Sequence, residues 1–218
     1  MDPQQLKAIA AQLRKPEGTE AAEVVERMNK NNRNISLKTI ELLELDSGDR
    51  ILEIGPANGA YVAEILNGNE VKYTGIDYSA DMVREAEILN EKFVSNERAQ
   101  FVCGSSEDLP FEDGYFDKVF SVNTFYFWEN PSQHLHEIRR VLKIGGQFNL
   151  GFGSRDFMEM LPFTKFGFNL YFPEEVKEYL VDASFRVDEI KALEPEIIEI
   201  VGQSIKKEFY IAICKKEY

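Results

Sequence analysis

The chain has 218 residues, enough for one domain with a sizeable core. Its 38 acidic and 25 basic side chains give a net charge of −13, which argues against nucleic acid as a partner, because phosphate contacts need clustered Lys and Arg. The two cysteines, Cys103 and Cys214, lie in apolar strand-like runs, so buried free thiols of a reducing compartment are expected, and with two histidines they form no metal-ligand spacing.

The start, Met1-Asp2-Pro3-Gln4-Gln5, is polar, with no secretory signal after it and no run of membrane-spanning length in the chain. A cytoplasmic protein without a membrane partner is therefore expected. Residues 4–14 read as a helix with Leu6, Ile9 and Leu13 on one face. Pro16-Glu17-Gly18 breaks it, and Thr19 is placed to cap a helix burying Val24, Val25 and Met28. The Asn29–Asn34 run predicts a break, and Ser36 is placed to cap a helix at Leu37–Leu45.

Strands and helices then alternate. Strands are predicted near 50–54, 71–76, 99–102, 116–122, 146–152, 185–191 and 207–214, and helices near 59–66, 79–94, 132–142 and 173–181. Alternation predicts an α/β fold: a Rossmann-like, seven-stranded, mostly parallel sheet with helices on both faces. Only a loop, Leu193 to Ser204, separates the last two strands, which predicts a C-terminal antiparallel hairpin.

The first strand, Ile51-Leu52-Glu53-Ile54, runs into the small-residue turn Gly55-Pro56-Ala57-Asn58-Gly59. The next apolar run ends at Asp77. Strand, glycine loop, helix, second strand and terminal acid make a nucleoside half-site. Glycine lets the backbone turn sharply and approach a ligand closely, and the acid accepts from ribose hydroxyls. Dinucleotides and S-adenosylmethionine both use this plan. The spacing of Gly55, Ala57 and Ala60 fits a dinucleotide fingerprint poorly, and Glu53 suits a cationic amino group better than a pyrophosphate. Asp77, Ser105 and Asn123 also fall at predicted strand ends, where such sheets bind ligands.

Glu53, Gly55 and Gly59 match the methyltransferase pattern E-x-G-x-G-x-G, with Ala57 at the middle glycine. Phe101 to Phe111 is similar to G-D-A-x-x-L-P-F, with Ser105 and Ser106 at the Asp and Ala positions. Tyr115 to Asn123 is similar to the F-D-x-V strand, Leu135 to Gly146 to E-x-x-R-V-L-K-P-G-G, and Tyr171 to Phe185 to a helix ending in A-G-F. In this order, the motifs resemble class I S-adenosylmethionine-dependent methyltransferases of the small-molecule type over residues 36 to 214.

The resemblance implies a methyltransferase domain at 36–218 behind an N-terminal helical lid at 1–35. It implies a cofactor site of Glu53, Gly55, Ala57, Gly59, Asp77, Tyr78, Met82, Ser105, Ser106, Glu107 and Asn123, with Met82 packed on adenine. Ser105 lacks the carboxylate that takes the adenine amino group in the family, and Glu107 or Asp108 is a substitute acceptor. Asn29 and Asn32 fall in the lid.

Phe125, Tyr126, Phe127 and Trp128 follow the fourth strand, where an acceptor would sit, so Tyr126 and Trp128 are expected to line its site. Of the two histidines, His134 is the better placed for a general base. Phenylalanines and methionines from Phe152 to Phe172 form an apolar roof. The expected activity is methyl transfer to a small, partly apolar or aromatic acceptor, leaving S-adenosylhomocysteine. The alternatives are a nicotinamide-dependent oxidoreductase and a cofactor-binding protein without turnover.

Overall fold

The computed structural model of the chain describes residues 2–200 and 203–218. Two helices come first, α1 (Pro3–Arg14) and α2 (Ala21–Glu41). The alternating part runs β1 (Arg50–Ile54), α3 (Val62–Leu66), β2 (Lys72–Asp77), α4 (Ala80–Leu89), α5 (Glu91–Val94), β3 (Ala99–Cys103), β4 (Phe116–Val122), α6 (Pro131–Val141) and β5 (Leu142–Gly153). The last part holds α7 (Arg155–Met158), α8 (Pro173–Asp182), β6 (Arg186–Ala192), β7 (Glu196–Ile200), β8 (Gln203–Lys207) and β9 (Phe209–Lys215).

The seven-stranded sheet has the order β3-β2-β1-β4-β5-β9-β6. The first five strands are parallel, and β9 runs antiparallel between β5 and β6. Alternate residues of β1 enter opposite cores. Leu52 and Ile54 join Val119, Leu135 and Ile138, while Ile51 joins Val62, Ile65, Tyr73 and Phe120. Burial on both faces explains why these strands read as continuous apolar runs. From β1 the sheet grows outward to β3, and the chain then returns to place β4 on the other side. The strand order reverses between β1 and β4, and sheets of this kind bind ligands beyond the carboxyl ends at such a reversal.

Several expectations change. Asn29–Asn34 does not break the helix, because α2 runs unbroken through it and Ser36 lies buried inside it. The predicted 79–94 helix is divided at Asn90, whose Nδ2 donates to Ala86 O and Gly59 O. The Leu193–Ser204 stretch is not a plain loop: β7 and β8 pair there as a separate hairpin, with Glu196 opposite Lys207. Val201 and Gly202 of that stretch, like Met1, lie outside the described residues. Cys214 is buried but Cys103 is exposed, at the end of the edge strand. Among the described residues no helix is long and apolar enough to cross a membrane.

Candidate cofactor site and acceptor approach

The loop after β1 carries left-handed backbone at Gly55 (φ 73°), Ala57 (φ 48°) and Gly59 (φ 66°). A Cβ on Gly55 would stand 2.5 Å from Thr124 Cγ2, and one on Gly59 would stand 2.7 Å from Asn90 Nδ2. The turn is therefore wedged between α4 and the segment after β4. Ala57 adopts a conformation that costs an L-residue roughly 1–2 kcal/mol. Its N–H donates to Asp77 Oδ2 at 3.1 Å, which offsets part of that strain.

Asp77 closes β2 with its other oxygen accepting from Ser79 N at 2.9 Å. Burial pushes its carboxyl up to about 6, against the pull of the two backbone N–H groups. Glu53 is buried one strand away and accepts from the Tyr73 hydroxyl at 2.5 Å. Burial pushes Glu53 up to about 7, the Tyr73 bond opposes this, and the charge of Asp77 adds to it. Among the described residues no basic side chain acts on either acid. Two buried carboxylates without a cation, at the mouth of a glycine turn, fit a ligand that brings a positive charge and hydroxyl donors. S-adenosylmethionine brings both, with its ammonium suited to Glu53 and its ribose to Asp77.

The other residues that the sequence assigns to the cofactor come from further loops. Met82 is fully buried with Ala57, Ala21 and Val25, so α2 covers the glycine turn. Tyr78 is 42% exposed, and its hydroxyl donates to Arg14 O. Ser79 Oγ donates to Pro16 O at 2.7 Å, and Gly18 N donates to Asp81 at 3.1 Å. The α1–α2 connection thus lies across the β2–α4 loop. Asn29 Nδ2 donates to Asn58 Oδ1 at 3.0 Å, joining α2 to the turn, while Asn32 is half-buried. After β3, Ser105 is exposed and its Oγ accepts from Glu107 N, whereas Ser106 is buried and hydrogen-bonded to His134.

Asn123 (φ 57°) leaves β4 with its Oδ1 accepting from the Tyr126 hydroxyl at 3.0 Å. That hydroxyl also accepts from Gly153 N, so Tyr126 ties the end of β4 to the end of β5. The expectations for Tyr126 and Trp128 both give way. Tyr126 is 2% exposed, and the Trp128 ring is 4% exposed and stacks on His134, with 4.6 Å between centroids and a 9° interplanar angle, so both support the wall from behind. His134 is likewise buried, its Nδ1 lies 2.7 Å from Ser106 Oγ, and burial holds its pKa below the usual value. Buried and engaged with Ser106, this imidazole is turned away from any acceptor's proton.

Phe168 meets Tyr126, Phe127 and Phe163 at 6.0, 4.6 and 5.8 Å. Phe157 meets Phe209 at 5.7 Å. Sequence reasoning missed Thr124, whose Cγ2 closes on Gly55 and whose hydroxyl lies 2.5 Å from Ser121 Oγ, because its contact with the turn is made only when β4 is laid beside β1.

Known proteins share this fold and stretches of this sequence. The profile of the family described as "Methyltransferase domain" matches residues 52–150. YrhH of Bacillus subtilis, named as a methyltransferase, is 33% identical over 144 residues, covering 62% of this chain and 78% of its own. YdaC, an uncharacterised methyltransferase of the same bacterium, is 27% identical over 191 residues, covering 87% and 95%. Among solved structures, a chain of the complex between the Haloferax volcanii Trm112 methyltransferase activator and its methyltransferase superimposes with a TM-score of 0.78 over 98% of both chains, at 19% identity. With its β1 glycine turn, its paired buried acids and a relative this similar over most of its length, the chain belongs to the class I S-adenosylmethionine-dependent methyltransferases.

Proposed function

We propose that this enzyme methylates a small molecule with an apolar or aromatic body. The observation that carries this reading is the half-buried aromatic wall of Phe127, Phe163 and Phe168, backed by the buried Tyr126, beyond the ends of β4 and β5. Such a wall desolvates a ring or alkyl body and attracts positive charge on its faces. Glu53, Asp77, Met82 and the Ser105–Glu107 loop hold the cofactor, and Asn123 borders its amino-acid end. The N-terminal helical segment up to residue 35 is a lid, a reading supported by its bonds to Tyr78, Ser79, Asp81 and Asn58.

When bound, S-adenosylmethionine supplies an activated methyl group on a sulfonium. The protein's part is alignment and exclusion of water, which alone give large effective concentrations. Tyr126 fixes the distance between the ends of β4 and β5, and the lid and roof keep water out. Among the described residues no side chain at this wall is poised to take a proton, which favours acceptors whose reacting atom already carries a free lone pair. The exposed free thiol of Cys103 supports a reducing, cytoplasmic setting.

The test is a screen of small phenols, amines and carboxylic acids with S-adenosylmethionine, read by S-adenosylhomocysteine release and by the mass of the product. Turnover with an apolar or aromatic small molecule is expected. Turnover confined to protein or nucleic acid would overturn the assignment.

A further inference from the structure

Helix α6 grips the loop after β3 along its length. Gln133 Nε2 donates to Glu107 O, Leu109 N donates to Glu137, and Arg140 donates to Leu109 O and Phe111 O. Inside this grip lies His134, 5% exposed. Its Nδ1 is 2.7 Å from Ser106 Oγ. Its Nε2 is buried without a hydrogen bond and faces Glu107 Oε1 at 3.3 Å. One ring therefore addresses two consecutive residues of one loop.

A neutral imidazole has one N–H and one lone pair. The carboxylate favours the N–H on Nε2, which leaves the Nδ1 lone pair for the Ser106 hydroxyl proton. The face of the ring rests on Trp128, from the segment that follows β4. A residue needed only to fill space would be aliphatic. This one costs the burial of two ring nitrogens and returns polar contacts to Ser106 and Glu107.

We propose that His134 is a positioning residue for the cofactor's base: through Ser106 it sets the Ser105–Glu107 loop, and through Trp128 it ties that loop to the acceptor side. This rests on the reading that the loop borders adenine. At Ser105 this chain has no carboxylate to anchor the base directly, so the loop's backbone must be held in place from behind.

The test is calorimetric titration of the purified protein with S-adenosylhomocysteine and with adenosine. His134→Leu, checked for folding by circular dichroism, should raise both dissociation constants by about tenfold, the equivalent of one buried hydrogen bond. His134→Asn, which restores an acceptor near the Nδ1 position, should recover most of that loss. In a Ser106→Ala background, His134→Leu should add less than about twofold, because the shared contact is already gone. If His134→Leu does not fold, Ser106→Ala alone carries the test and should weaken both ligands several-fold.

A folded His134→Leu with unchanged affinity, equal losses in both backgrounds, or no recovery with Asn would overturn the proposal. So would unchanged affinity in Ser106→Ala. Ser105→Trp separates this failure from that of the underlying reading. If it blocks S-adenosylhomocysteine while His134→Leu binds normally, only the role of His134 falls. If it binds normally, the loop does not border adenine and the proposal falls with that reading.

Discussion

The Tyr73 hydroxyl donates to Oε2 of Glu53 at 2.5 Å, and it is the only side-chain hydrogen bond to that carboxylate among the described residues. Glu53 and Asp77 have folded-state values raised from 4.5 to about 7 and from 3.8 to about 6. Such groups bind protons more tightly when folded. Their contribution to stability is therefore fully present below the ordinary carboxylate range and is lost as pH rises through about 6 to 7. The ligand-free protein should lose melting temperature across that window, and Glu53→Gln should flatten the loss. Flat melting in both proteins would contradict the electrostatic account.

The same acids predict proton release on binding. A cationic ligand favours ionised Glu53, so titration at a pH near 6.5 with buffers of different ionisation heat should show protons leaving on addition of S-adenosylmethionine. Glu53→Gln should reduce the number released. Identical heats in all buffers would remove Glu53 from the cofactor's neighbourhood.

Asp77→Ala should weaken the cofactor by about 1–3 kcal/mol, through loss of a charged acceptor for the ribose. It also strands the N–H groups of Ala57 and Ser79, so the variant should melt lower than the parent. Unchanged affinity would exclude Asp77 from the site.

Gly55→Val meets two obstacles, a φ of 73° and Thr124 Cγ2 at 2.5 Å from the new Cβ. The expected product is a folded protein without cofactor binding, read by circular dichroism and calorimetry. Normal binding would mean that the turn can change shape without touching the ligand.

Trp128→Ala should cost stability rather than acceptor recognition. Deleting a buried ring against His134 and Phe125 should destabilise by about 3–5 kcal/mol, measured by denaturant unfolding. A folded variant of full stability that loses only acceptor affinity would return Trp128 to the acceptor wall.

The parallel strands were legible because burial on both faces forces apolar runs, and their polar ends, such as Asp77 and Asn123, then stand out. The Asn29–Asn34 run misled for a tertiary reason. Asn29 bonds Asn58, Asn34 bonds Glu196, and Asn31 O accepts from Lys207, so contacts from three distant segments outweigh weak helix propensity. Trp128 and His134 were legible as residues near the strand ends, but not their direction, which depends on how α6 rolls against the β3–β4 loop. Cys103 was read as buried because its run is apolar, while the absence of a neighbour beyond the edge strand is a property of the assembled sheet.

Cofactor choice is the most direct test. Calorimetric titration of the purified protein with S-adenosylmethionine, S-adenosylhomocysteine and NAD should give heats of binding for the first two and none for the third, with both heats abolished by Gly55→Val. Binding of NAD without either sulfur nucleoside, or binding of those nucleosides undiminished by Gly55→Val, would contradict the assignment of the β1 turn as the methyl donor's site.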